Sequence, residues 1–291
     1  MSPATSARAR WRAAAWSLAY VVMGYVATTA IVWGTFSLAS GWLRAALSNL
    51  LGASLYQAAV GILVFGSLTW LVGRRRLGLS WRELGWAPAR VGLPGFGKGL
   101  LAGLGAAALA LVLSVPLGGS SWALDGGPFG AYLVRLVLLT AVLLPPAFME
   151  ELAFRGLPLV GFSSALGKGL GLVVTAVLFG LVHRLNPDVT VLALGNIALA
   201  GMFLGLTFFA RGALWTSTGA HLGWNLALAG LAAPVSGLPF DVPWLDFRPG
   251  RPDWLTGGGF GPEGGLVATV ALVAAVALVL RWRDLKEELV G

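Results

Sequence analysis

The sequence contains no cysteine. That excludes a disulfide framework, a thiolate metal site and a cysteine nucleophile. Charge is scarce as well. Asp, Glu, Lys and Arg make up 11% of the 291 residues, whereas an ordinary soluble domain carries about 25%. Hydrophobic residues make up 57%, and several apolar runs exceed the ~18 residues that read as membrane-spanning helices. A soluble globular protein is thereby excluded. There are only two histidines, His183 and His221, and the H-E-x-x-H pattern of common zinc proteases is absent. No internal repeat of the kind found in many transporters is present.

What is there is a series of eight apolar runs, at about 16–38, 48–72, 98–117, 131–156, 169–185, 190–210, 213–232 and 266–280. They predict an all-α, polytopic membrane helical bundle of about eight transmembrane helices. Residues 1–15 are polar and basic, and the first run is too long for a signal-peptide core, so it reads as a retained span. Lys and Arg favour the cytoplasmic side. With the N-terminus inside, fourteen of the twenty Lys and Arg fall inside and five outside, while Arg155 lies within a span. Both termini are therefore expected in the cytoplasm, including the tails 1–15 and 281–291. This topology accounts for the net charge of +8 better than a nucleic-acid partner does. One membrane domain, 1–291, is expected, with its chemistry concentrated in 145–230.

The connecting segments differ in character. Residues 73–97 are basic and contain Trp, which suggests a short helix lying on the inner leaflet. Residues 233–265 are rich in Pro and Gly and carry Asp241, Asp246, Asp253 and Glu263 as an outer loop. Glycine reaches 42 residues. The pairs Gly99–Gly103 and Gly201–Gly205 have the spacing that lets membrane helices approach closely. Many of the 13 tryptophans sit near span ends, among them Trp16, Trp70, Trp215 and Trp282, as in an interfacial belt. GLPGFGKG at 92–99 nearly fits a phosphate-binding loop. However, Gly99 replaces the Ser or Thr that would hold magnesium, no strand precedes it and a membrane span follows.

Ionisable groups inside a span cost ~2.5–3.5 kcal/mol each on insertion scales and are functional candidates by default. The first group lies in PPAFMEELAFRG, 145–156. On a helix Glu151 and Arg155 are i,i+4 neighbours that can neutralise each other. Glu150 is turned about 100° from them, outside that ion pair. Pro145 and Pro146 are expected to kink the helix just before it and open a water-accessible cavity. The second group is LFGLVHR, where Phe179 and His183 share a helix face. The third is GAHLGWN, where His221 and Asn225 share one.

Amide hydrolysis needs a base to activate water and donors to stabilise the oxyanion. Glu150 with His183 fits the first role, and His221 with Asn225 the second. The same Glu150, His183 and His221 also make a two-His, one-carboxylate set suited to a catalytic zinc, and the sequence does not choose between the two. Counting along the helices puts Glu150 ~10 Å, His221 ~12 Å and His183 ~21 Å from the inner edge, so His183 reads as too deep. A rhomboid-type Ser–His dyad is disfavoured: Ser217 is near His221, but no G-x-S-x motif sits in a span. An aspartyl protease is excluded because every Asp falls in a predicted loop or tail.

E-E-x-x-x-R, F-x-x-x-H and H-x-x-x-N on successive spans resemble the CAAX protease and bacteriocin-processing family, whose best-known members are the type II CAAX prenyl endopeptidases. The resemblance covers 150–225. It implies an eight-span intramembrane endopeptidase with a cavity open to the cytosol. Glu150 and His183 would activate the water, and His221 and Asn225 would form the oxyanion hole. Glu151 and Arg155 would support substrate binding or cavity geometry, with Phe179 the remaining motif residue. No cofactor is required by that mechanism, although family members are often called metalloproteases. The implied partners are the lipid bilayer and a protein or peptide substrate. A bacterial cytoplasmic membrane is the expected location. A catalytically silent scaffold of the same fold is the alternative, and a transporter using the buried charges is a third.

Overall fold

The computed structural model describes residues 6–47 and 49–282. Of the expected cytoplasmic tails, residues 1–5 and 283–291, with Arg283 and Lys286, lie outside the described residues, as does Ser48 at the expected start of the second span. The helices in chain order are α1 (Ala7–Leu38), α2 (Gly41–Leu47), α3 (Leu50–Leu68), α4 (Ala89–Gly118), α5 (Phe129–Phe154) and α6 (Leu157–Leu166). They continue as α7 (Lys168–Val182), α8 (Val191–Phe208), α9 (Leu214–Gly230), α10 (Asp253–Thr256) and α11 (Leu266–Val279). One short antiparallel pair, β1 (Ser121–Ala123) with β2 (Asp246–Arg248), accompanies them. The protein is all-α in class.

Six helical segments among the described residues are long and apolar enough to cross a membrane: Ala7–Leu38, Leu51–Arg76, Ala89–Gly118, Phe129–Leu166, Lys168–Leu185 and Val191–Phe208. The other two expected spans are shorter helices, α9 with 17 residues and α11 with 14. The chain is an integral membrane protein.

Two compact units are present. The first comprises the residues up to Ala87 together with Val142–Thr175. Its α1 starts nine residues before the expected span, because ARARWRAAAW is rich in Ala and Arg, both strong helix formers. Tyr20 ties the unit together. Its hydroxyl donates to the carbonyl of Leu152 in α5 at 3.0 Å, and it lies 3.3 Å from the Phe65 carbonyl and 3.0 Å from Thr69 Oγ1. Gly24 lets the Phe65 ring lie against α1; a Cβ there would stand 2.0 Å from that ring. The C-terminal half of α5 passes through Pro145 and Pro146 without interruption of the helix.

No separate short helix forms within 73–97, since α4 already begins at Ala89. Instead α3 continues as a π-helix, Thr69–Arg76, that carries Arg74, Arg75 and Arg76. A turn follows in which the N–H and Oγ of Ser80 donate to Glu83, both at 2.8 Å. Those bonds hold the Glu83 carboxyl below the usual range. The three arginines lie over Trp81, Trp70 and Trp16, at 5.5, 4.9 and 5.6 Å from the ring centroids. Cation–π attraction and the apolar stems of the arginines stabilise this arrangement where a short helix on the inner leaflet was expected.

The second unit comprises Pro88–Ala141 and the residues from Ala176 onward. Its centre is the contact of α4 with α9. A Cβ at Gly99 would lie 2.0 Å from the Thr216 carbonyl, and one at Gly103 would lie 1.9 Å from that of Ala220. From the other side, Gly219 and Gly223 press on the carbonyls of Phe96 and Leu100. Small residues here bring two backbones into direct contact. GLPGFGKG is thereby accounted for as a helical packing face rather than a loop: it lies within α4, and Gly92 fits beneath the Trp215 ring. Segment 233–265, expected as an outer loop, carries short elements of its own. It pairs with β1, forms α10 and two 3-10 turns, and Trp122 Nε1 donates to the carbonyl of Leu231 at 2.8 Å.

Candidate active site

Each unit carries part of the motif set. In the first, the last turn of α5 and the residue after it present Glu150, Glu151 and Arg155. Glu151 and Arg155 are 0% and 1% exposed, and Arg155 Nε lies 3.3 Å from Glu151 Oε2. This is the i,i+4 ion pair expected from the spacing. The Arg155 guanidinium also lies 5.9 Å from the Phe154 ring centroid. Glu150, one residue earlier, faces elsewhere and is half-buried, with Tyr25 and Arg155 among its electrostatic neighbours. The fully buried pair and the accessible carboxylate are thus different kinds of group, although they are adjacent in sequence.

In the second unit, Phe179 of α7 brings the two histidines to one place. Its ring is 4.8 Å from that of His183 and 5.9 Å from that of His221, edge-on to both. Phe179 is buried, His221 is 8% exposed and His183 is half-buried. The α-helix ends at Val182, His183 opens a 3-10 turn, and its side chain folds back toward the preceding turn, as helical side chains do. Asn225 follows His221 by one turn of α9 and is half-buried.

His183 Nδ1 is 2.7 Å from the carbonyl oxygen of Phe179. A carbonyl oxygen accepts only, so Nδ1 carries the proton. The neutral ring then keeps its lone pair on Nε2. This bond sets the tautomer that a proton acceptor, or a metal ligand, requires.

Sequence reasoning missed Glu263. Assigned to the outer loop, it is 4% exposed and sits in the 3-10 turn Pro262–Gly264 just before α11. Trp224 Nε1 donates to its Oε1 at 2.8 Å, Ser236 Oγ donates to Oε2 at 3.1 Å, and the Ser236 N–H also donates to Oε2. Asn196 of α8 donates to its main-chain carbonyl at 2.8 Å. Ser236 reaches Oε2 from the left-handed region, at φ 49°. Burial pushes the Glu263 carboxyl up; the Ser236 and Trp224 donors oppose that shift. Trp224 lies between His221 and Asn225 in sequence, so Glu263 anchors the helix that presents both. The available signal was an acidic residue directly before an apolar run.

No three His, Asp or Glu side chains are grouped to hold a metal ion within either unit's described residues. Residues 132–227 match the family model described as type II CAAX prenyl endopeptidase Rce1-like. The match contains all three motifs, from Glu150 to Asn225, and bears out the resemblance drawn from them. No curated protein matches the chain. No solved structure matches it.

Proposed function

We propose that the protein is an intramembrane endopeptidase that hydrolyses a peptide bond of a membrane-associated protein or peptide. The observation that carries this reading is that the match to a protease family, 132–227, encloses all three motifs. Glu150 and His183 activate the water. The hydroxide equivalent adds to the peptide carbonyl, and the proton taken from water passes to the leaving amine. His221 and Asn225 donate to the oxyanion that develops. Glu151 and Arg155 keep the end of α5 in place through their buried ion pair, and Phe179 seats both imidazoles. The Nδ1–H bond of His183 to the Phe179 carbonyl supports its part, because it leaves Nε2 as the acceptor.

In this reading α9 and α11 also cross the membrane, giving eight spans with both termini cytoplasmic, and residues 1–291 work as one protease domain. The membrane is the cytoplasmic membrane of a bacterium. The substrate is a peptide or protein, not a nucleic acid, and no cofactor takes part.

Peptide cleavage by purified wild type beside Glu150→Ala tests the proposal, using a library of membrane-anchored and farnesylated peptides with and without chelator. Cleavage that Glu150→Ala abolishes and chelator leaves untouched is the expected result. Loss with chelator and recovery with zinc would reassign Glu150, His183 and His221 as ligands. A cellular phenotype indifferent to Glu150→Ala, together with no cleavage, would make the protein a scaffold.

A further inference from the structure

A concavity whose lining includes neither histidine lies in the second unit, where α4, α8 and α11 leave a cleft of about 890 Å³. Its walls are apolar, with Ala102 and Gly105 on α4, Phe203 on α8 and Ala274 on α11. Its polar groups are Lys98, Arg281 and the indole of Trp282.

These three lie at the same end. α4 and α11 run antiparallel: the C-terminal end of α4 meets the segment leading into α11, where a Cβ at Gly118 would stand 2.0 Å from Thr256, and the Arg251 N–H donates to the Gly118 carbonyl at 2.8 Å. Lys98, near the start of α4, and Arg281, just past the end of α11, therefore flank one mouth of the cleft. From Lys98 to Leu109, the far lining residue on α4, the helix rises about 16 Å. The hydrocarbon core of a bilayer is about 30 Å thick. The cleft is thus one leaflet deep, with two cations and an interfacial Trp at its headgroup end and an apolar trough below. By the distribution of Lys and Arg, that end is cytoplasmic.

We propose that this cleft binds one anionic phospholipid of the cytoplasmic leaflet, its phosphate held by Lys98 and Arg281 and its acyl chains lying against α4 and α11. Charge complementarity selects the lipid, since basic pockets between membrane helices on the cytoplasmic side recognise acidic headgroups. A zwitterionic lipid matches the trough but not the mouth. The inference rests on the second unit alone and goes beyond the protease reading.

Native mass spectrometry of the purified full chain, titrated with phosphatidylglycerol or with phosphatidylcholine of the same acyl chains, tests it. Wild type is expected to prefer phosphatidylglycerol by about tenfold, and Lys98→Gln with Arg281→Gln to erase that preference. Ala274→Phe, which fills the trough and leaves the mouth charged, is expected to weaken binding of both lipids and serves if the double variant does not fold. Excess inorganic phosphate is expected to displace neither. Equal binding of the two lipids, or a preference that survives loss of both cations, would overturn the proposal. So would displacement by phosphate, which would mark a plain anion site. A large gain in lipid binding on removing residues 283–291 would make that segment the occupant instead. Each readout is binding, so failure here is distinct from failure to cleave peptides.

Discussion

Trp224 and Glu263 are joined by a 2.8 Å hydrogen bond from the indole Nε1 to a carboxylate oxygen, across 39 residues of sequence. One partner lies in the helix that carries His221 and Asn225, the other in a segment whose composition reads as an exposed loop. The bond makes that loop part of the structure that holds the motif helix.

Glu263→Ala would strand the Trp224 N–H and the two Ser236 donors. A buried donor left unsatisfied costs about 1–3 kcal/mol, so the variant is expected to lose several degrees of thermal stability in detergent. Trp224→Phe, which removes a single donor together with part of the ring area, is expected to lose less. Melting curves of both that match wild type would refute the assignment.

Glu263 also predicts a pH effect. Its folded pKa is raised by burial, so over a window upward from the unfolded carboxylate value the folded form holds a proton that the unfolded chain has released. Stability therefore declines as pH rises through that window, and is greatest below it. Glu263→Gln removes the titration and should flatten this part of the Tm–pH profile. Parallel profiles for variant and wild type would rule it out.

The Glu151–Arg155 pair separates structural from chemical roles. Arg155→Met removes the buried Glu151 carboxylate's counter-ion and is expected to cost about 3–5 kcal/mol. Pairing it with Glu151→Leu should restore most of that loss, because neither charge of the pair then remains buried. Glu150→Gln, on the half-buried face, is expected to leave stability nearly unchanged while abolishing cleavage. Denaturation curves beside cleavage rates separate these outcomes.

The α4–α9 contact predicts a steep contrast between neighbouring glycines. Gly99→Val places a side chain against the Thr216 backbone and is expected to prevent normal assembly. At Gly97 an added Cβ meets nothing within 4 Å, and Gly97→Ala should be neutral or stabilising by up to about 1 kcal/mol. Expression yield and gel-filtration profile in detergent distinguish the two.

Much of the candidate site was legible because it depends on helical periodicity. The Glu151–Arg155 pair, the shared face of Phe179 and His183, and the close approach at Gly99 and Gly103 all follow from spacings of three or four residues on an apolar helix. Where expectation and structure part, at the start of α1 and in 73–97, and where Glu263 of 233–265 is buried, the apolar pattern stops. There, propensity, Trp–Arg contacts and long-range hydrogen bonds choose the conformation.

By itself the sequence determined that the chain is helical and membrane-embedded, since its apolar runs satisfy their backbone groups internally only as helices. It also determined which charged residues stand out against the apolar background. Only the tertiary structure decided that Glu263 is a buried acceptor, that His183 presents Nε2, and that both histidines meet at Phe179. Those facts depend on groups far apart in the chain, or on where a helix ends and how a side chain folds back. A local pattern carries no information about either.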